Sequence, residues 1–264
     1  VAQDNITKET RDAARIISLD RTDKRNAMTV DMMWALAAAL DEAEADKGVR
    51  AVIITGQGGC FSAGVDFMSL AQLSQQMPTT QDFRHFLYRF QDVFTRMERM
   101  EKPVIAAVHE YCLGMAWELA LAADFRVAAK GTVFGLPEVQ LGLIPDVGGT
   151  SRLTRLAGEA RAKELVMLSR RIDADQAHAM GLVNDLCEKG DHLETALAMV
   201  GELKGCAPLA VGMAKKVINR GAHLDSATFR ELEAFAQSTL LNTEDVKEGV
   251  MAKMQKRPPD FKGK

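Results

Sequence analysis

Residues 51–55 read Ala-Val-Ile-Ile-Thr, a continuous apolar run stopped by Gly56, and such a run reads as a buried strand. A second strand pattern lies earlier, at residues 15–19. Between the two, residues 29–45 carry apolar side chains at 33, 36, 37, 40 and 43, which is helical spacing. Strand, helix, strand in that order predicts a right-handed parallel crossover, and with it an α/β fold.

The alternation continues. A glycine-containing stretch at 56–64 leads to a short helix starting near Asp66, where Asp66 itself reads as an N-cap. Apolar residues at 83, 86, 87, 90, 93, 94 and 97 predict a long amphipathic helix. Strands follow at 104–108, 125–128 and 133–134, with an alanine-rich helix over 115–123 inserted after a loop. Beta and alpha patterns alternate to about residue 186, and from Leu193 onward only helical patterns remain. The chain is therefore expected to divide into a core over 1–195 and a helical C-terminal region over 196–264. The helical patterns at 210–220, 229–240 and 245–255 need apolar partners that a finished sheet does not provide, so a trimer, or a hexamer of two trimers, is expected.

Several function classes can be set aside. The net charge of −3 and pI near 6.0 give no overall field for nucleic acid or an anionic membrane. Cys60, Cys112, Cys187 and Cys206 lie far apart with no C-x-x-C pair, which fits a reducing compartment and neither a zinc site nor a disulfide scaffold. The first ten residues are polar, and no apolar run is long enough to span a bilayer, so a cytoplasmic location and no membrane partner are expected. His85, His109, His178, His192 and His223 show no paired ligand spacing, and no metal is expected. The glycines at 56, 58 and 59 are followed by Phe61, which leaves the dinucleotide fingerprint incomplete, and no phosphate loop is present. Cys60 stands where a nucleophile elbow around Ser62 requires its first glycine.

What survives is a set of segments in a fixed order: LDRTDKRNAM from Leu19, FSAGVDF from Phe61, ELALAADFRVAA from Glu118, FGLPEVQLGLIPDVGGTSRL from Phe134, AMGLVNDL from Ala179 and the DVKEGVMAKMQKRPPDFKGK ending. Together they resemble the crotonase family, the enoyl-CoA hydratases and isomerases, over nearly the whole chain. The resemblance implies a crotonase-like fold of stacked ββα turns with a helical trimerisation region. It also implies an acyl-CoA thioester substrate, with coenzyme A arriving as part of the substrate and no separate cofactor.

The same resemblance distributes roles. The backbone N–H groups of Val65 and Met115 are expected to polarise the thioester carbonyl, the electrostatic device that an enolate-like oxyanion needs. Met115 departs from the family's run of glycines and brings a side chain that can narrow the acyl pocket, whereas Trp117 reads as core. Glu118, flanked by apolar residues, and Glu138, after Pro137, align with the family's acid pair. Glu118 is expected to deprotonate water and Glu138 to protonate Cα. Lys24, Arg25 and the backbone near Ala63 are implied coenzyme contacts, and Phe261 and Lys262 resemble a segment that reaches a neighbouring subunit's coenzyme site. Hydration of a trans-2-enoyl-CoA is the expected reaction. Asp146 supports an alternative, a double-bond isomerase. A further alternative is an RNA-binding or non-catalytic acyl-CoA-binding relative; the acidic balance weighs against the former and the retained glutamate pair against the latter.

Overall fold

Strand β1 (Ile6–Arg11) turns back at Asp12 into β2 (Ala14–Leu19), and the two pair antiparallel at the edge of a six-stranded sheet. In this computed structural model residues 5–77 and 79–264 are described, apart from the side chain of Ser74. Helix α1 (Val30–Ala45) crosses over from β2 to β3 (Ala51–Gly56), which runs parallel to it with Ile16 opposite Ile53. Thr29 caps α1 by accepting from the Met32 N–H. Then come α2 (Phe67–Gln76), α3 (Thr80–Arg99) and β4 (Val104–Val108), parallel to β3. A short β5 (Tyr111–Leu113) leads into α4 (Met115–Ala122), followed by β6 (Phe125–Ala129) and β7 (Val133–Gly135). The chain continues through α5 (Gly149–Met167), β8 (Ile172–Asp173), α6 (Ala174–Ala179) and β9 (Asp185–Cys187). Four helices end it: α7 (His192–Lys204), α8 (Pro208–Gly221), α9 (Ser226–Leu240) and α10 (Glu244–Gln255).

The large sheet has the order β1-β2-β3-β4-β6-β9, and a small one has β5-β7-β8. Both faces of the large sheet are covered, which explains why its central strands are apolar throughout. Along β3, Val52 and Ile54 join the core made with α1, α3 and α4, while Ile53 points to the other face, against Ala196 and Val200 of α7. Helix α7 thus belongs to the sheet, and the expected division at 195/196 falls inside it. Before residue 135, the strands unforeseen in the sequence are β1 and β5. Five of the six residues of β1 are exposed, so it lacks the apolar run that marks its neighbours.

The predicted stripe of α3 also divides. Val93, Phe94 and Met97 are buried in the core, whereas Phe83, Phe86 and Leu87, nearer the helix start, face a pocket that the buried Phe90 also lines. That pocket is where the small sheet matters. Pairing of Leu113 with Gly135 sets the start of α4 beside the turn that follows β7.

Candidate active site

The site is assembled from three chain turns. In the first, Gly64 takes φ +101, open to glycine alone without strain; a Cβ there would lie 2.6 Å from the Leu113 carbonyl and 3.6 Å from the Met115 nitrogen. The FSAG turn and the N-terminus of α4 are therefore in direct contact. In the second, Gly114 takes φ +54, and a Cβ would lie 2.8 Å from Glu138 Oε1. Lacking one, it lets the Glu138 carboxylate close on the helix start. Among the described residues, neither the Val65 nor the Met115 N–H donates to the protein. Both remain available, beside the positive end of α4, for an oxygen that gains negative charge.

The third turn is the loop before α5. Glu118, in the first turn of α4, is 2% exposed, and its Oε2 accepts from the N–H groups of Val147 at 3.0 Å and Gly149 at 2.6 Å. Burial raises its carboxyl to about 8 against those two bonds, with the charges of Glu138 and Asp146 adding to the rise. Glu138 opens a short 3-10 turn (Glu138–Leu141) after β7, and its buried Oε2 has no protein partner among the described residues. Burial lifts this carboxyl to about 7, Asp146 again contributing. Asp146 is raised by burial too. With both carboxyls raised toward neutrality, protonated and ionised forms are both accessible there, the condition for one group to act as acid and its neighbour as base.

Val65, Met115, Glu118, Glu138 and Asp146 all line one pocket of about 270 Å³. Met115 lines it, and Trp117 is fully buried against Phe134, with ring centroids 5.5 Å apart. Asp66 caps α2 through the Ser69 N–H and pairs with Arg21 at 2.6 Å.

The expected coenzyme residues occupy two places. Lys24 and Arg25 are exposed, and among the described residues neither forms an ion pair. Arg25 lines a small cavity of about 180 Å³, and its carbonyl accepts from the Ala63 N–H at 2.9 Å, so this loop lies against the FSAG turn. Phe261 and Lys262 lie elsewhere. Phe261 packs on Gly249 of α10, and the N–H groups of Lys262 and Gly263 donate to the Asp245 carboxylate at 2.7 and 2.8 Å. The tail is folded on its own helix, away from this chain's Lys24 and Arg25.

One residue was underestimated in the sequence. Asn26, fully buried at φ +53, donates to the carbonyls of Gln57, Cys60 and Phe61 and accepts from the Arg21 N–H. Its own carbonyl accepts from the Ser62 hydroxyl, which accepts in turn from the Gly64 N–H. The sequence signal was an asparagine, a residue that tolerates left-handed backbone, at the end of a polar turn.

Comparison with known proteins follows the same lines. The family model for enoyl-CoA hydratase/isomerase matches residues 9–264. The short-chain-enoyl-CoA hydratase of Clostridium acetobutylicum is 36% identical over 96% of this chain and 95% of its own. The 2,3-dehydroadipyl-CoA hydratase of Escherichia coli is also 36% identical, over 94% and 95%. The crystal structure of an enoyl-CoA hydratase from Bacillus anthracis superposes with a TM-score of 0.92 at 34% identity, covering 98% of this chain and all of that one. The fold is thus the crotonase fold, and no single helix among the described residues is long and apolar enough to cross a membrane. With Glu118 and Glu138 in one pocket, the two free N–H groups and a match along nearly its whole length, this chain belongs to the enoyl-CoA hydratase/isomerase family.

Proposed function

We propose that the protein is an enoyl-CoA hydratase, adding water across the double bond of a trans-2-enoyl-CoA to give a 3-hydroxyacyl-CoA. The observation that carries this reading is the pair of buried carboxyls, Glu118 and Glu138, raised to about 8 and about 7 in the pocket that also holds the Val65 and Met115 N–H groups. Water attacks Cβ, the π electrons move toward the thioester, and the two N–H groups hold the oxygen that becomes negative. The water's proton passes to one glutamate, and Cα takes a proton from the other. Transfer between the two carboxyls then restores the starting state.

Two N–H bonds already fix Glu118 Oε2 and favour its ionised form, so we assign Glu118 as base. The unpartnered, buried Glu138 Oε2 favours a proton, and we assign Glu138 as acid. Burial acts against this order, since it raises Glu118 further than Glu138. The two bonds to Glu118 Oε2 and the unpartnered Oε2 of Glu138 decide our choice.

Lys24 and Arg25 are proposed to meet the coenzyme phosphates, being exposed cations beside the FSAG turn. A homotrimer, or a pair of trimers, is proposed from the apolar side chains exposed on α9 and α10, and Phe261 and Lys262 would serve a neighbouring copy's coenzyme site. The free thiols fit a reducing, cytoplasmic location. A second reading, double-bond isomerisation, rests on Asp146 lining the same pocket. Turnover of trans-2-hexenoyl-CoA in ¹⁸O-labelled water separates the two. Hydration places label in the 3-hydroxy product, and unlabelled, isomerised enoyl-CoA as the sole product would refute it.

A further inference from the structure

The acyl pocket is uniform in its chemistry. Helix α2 contributes Leu70 and Leu73, and α3 contributes Phe83, Phe86, Leu87 and Phe90, turned to one side by helical spacing. Ile144 and Met115 complete an apolar wall. Among the described residues, the polar side chains that reach the pocket are Ser69 and three acids, Glu118, Glu138 and Asp146, and no lysine, arginine or histidine lines it.

Of the nearby cations, two lie exposed on α3 and two are engaged by other groups. Arg84 and His85 of α3 are exposed, off the 83/86/87/90 stripe. Arg89 lies over the Trp34 ring, 5.2 Å from its centroid. Arg152, close to the loop that holds Asp146, is bound by Glu98 at 2.8 Å and by the Val147 carbonyl at 2.9 Å.

A carboxylate carried at the far end of an acyl chain would enter this pocket without a cation to pair with, facing three acids. Burying a charge in that state is strongly unfavourable. An uncharged aliphatic chain gains instead from every methylene it places against the wall. Overall identity does not separate the two cases, because the short-chain relative and the 2,3-dehydroadipyl relative are each 36% identical to this chain. The pocket lining does separate them.

We infer that this chain selects uncharged, apolar acyl groups and rejects enoyl-CoA substrates bearing a distal carboxylate. The inference rests on the hydratase reading. The test compares trans-2-hexenoyl-CoA with 2,3-dehydroadipyl-CoA on the full chain, two six-carbon substrates that differ at the terminal carbon. The hexenoyl substrate should lead in kcat/KM by about a hundredfold or more, the scale set by an unpaired buried charge. Comparable values, or a lead for the diacid, would overturn the selectivity while leaving hydration intact. If neither substrate is hydrated, the hydratase reading itself fails.

A gain-of-function variant provides the second arm. Leu73→Arg sets a cation at the α2 wall, and it should raise kcat/KM for the diacid by roughly tenfold or more, on the scale of a restored charge partner. The hexenoyl value, measured on the same preparation, reports whether the variant is folded. A variant active on hexenoyl-CoA with an unchanged preference would overturn the electrostatic account.

Discussion

Helices α4 and α9 both carry apolar residues in plenty, yet their surroundings are opposite. Every residue of α4 is buried, from Met115 to Ala122, including a glutamate. In α9 no residue is buried, and Phe235 is 73% exposed. Helix α4 is enclosed by its own chain: α3, α5 and the small sheet surround it. Helix α9 leans on α8 and presents the rest of its surface outward, and Leu241 just after it and Met254 of α10 are exposed as well. Around α4, burial perturbs carboxyl groups, completely so at Glu118. Around α9, apolar surface is left uncovered, as expected of a region that meets another copy.

The contrast can be broken most severely at its buried end. Glu118→Gln and Glu138→Gln should each lower kcat by about a hundredfold or more, the scale of a lost general acid or base. Initial rates on hexenoyl-CoA check this, and near-normal hydration by either variant would remove the carboxyl pair from the mechanism.

Glu118→Gln should also be more stable than the parent in alkaline solution. Because the folded-state value is raised to about 8 from 4.5, the folded chain keeps a proton that the unfolded chain has lost, and stability falls as pH rises through that window. Glutamine does not titrate, so the variant's advantage should reach on the order of a few kcal/mol at pH 8 and vanish below pH 4, read from denaturant melts. A parent whose stability is flat over that range would show that Glu118 is not held protonated.

At the exposed end, Phe235→Asp should shift the mass in solution toward the 28.9 kDa of one chain while leaving the fold intact by circular dichroism. A parent already monomeric at micromolar concentration would refute the proposed assembly. Met115→Gly is expected to act more moderately, through the pocket wall. It keeps the N–H and enlarges the cavity, so the ratio of kcat/KM between bulky and small acyl groups should move roughly ten- to two-hundredfold, with some loss of stability. An unchanged preference with a lower Tm would place Met115 in the core alone. The smallest effect is assigned to Asp146→Asn, within about threefold in hydration; a loss matching that of the glutamate variants would favour isomerisation.

The parts of this molecule legible in the sequence were those with one-dimensional periodicity. The apolar run ending at Gly56 and the residue spacing of α1 and α3 pointed to the parallel sheet and its cover. Glu118 was conspicuous as a charge among alanines and leucines, and Glu138 came from the family resemblance. Strand β1 escaped because its pairing with β2 rests on backbone bonds at an exposed edge, with little apolar signal. The division of the α3 stripe into core and pocket halves was equally hidden, since an apolar side chain reads the same whether it meets a core or a cavity. Asn26 gives no signal of its bonding role in the sequence, because its partners at 57, 60 and 61 are more than thirty residues away.

That asparagine has a consequence for how the two ends of a long substrate communicate. Its carboxamide joins the loop of Lys24 and Arg25 to the segment that sets the Val65 N–H, with no intervening flexible linker. A phosphate group gripped by Lys24 and Arg25 would therefore pull on the same rigid body that aligns the oxyanion donors. Attraction felt at the nucleotide is then expressed as alignment at the reacting carbon. Thioesters trimmed to the pantetheine arm would lose turnover as well as affinity, although the missing atoms never approach the double bond.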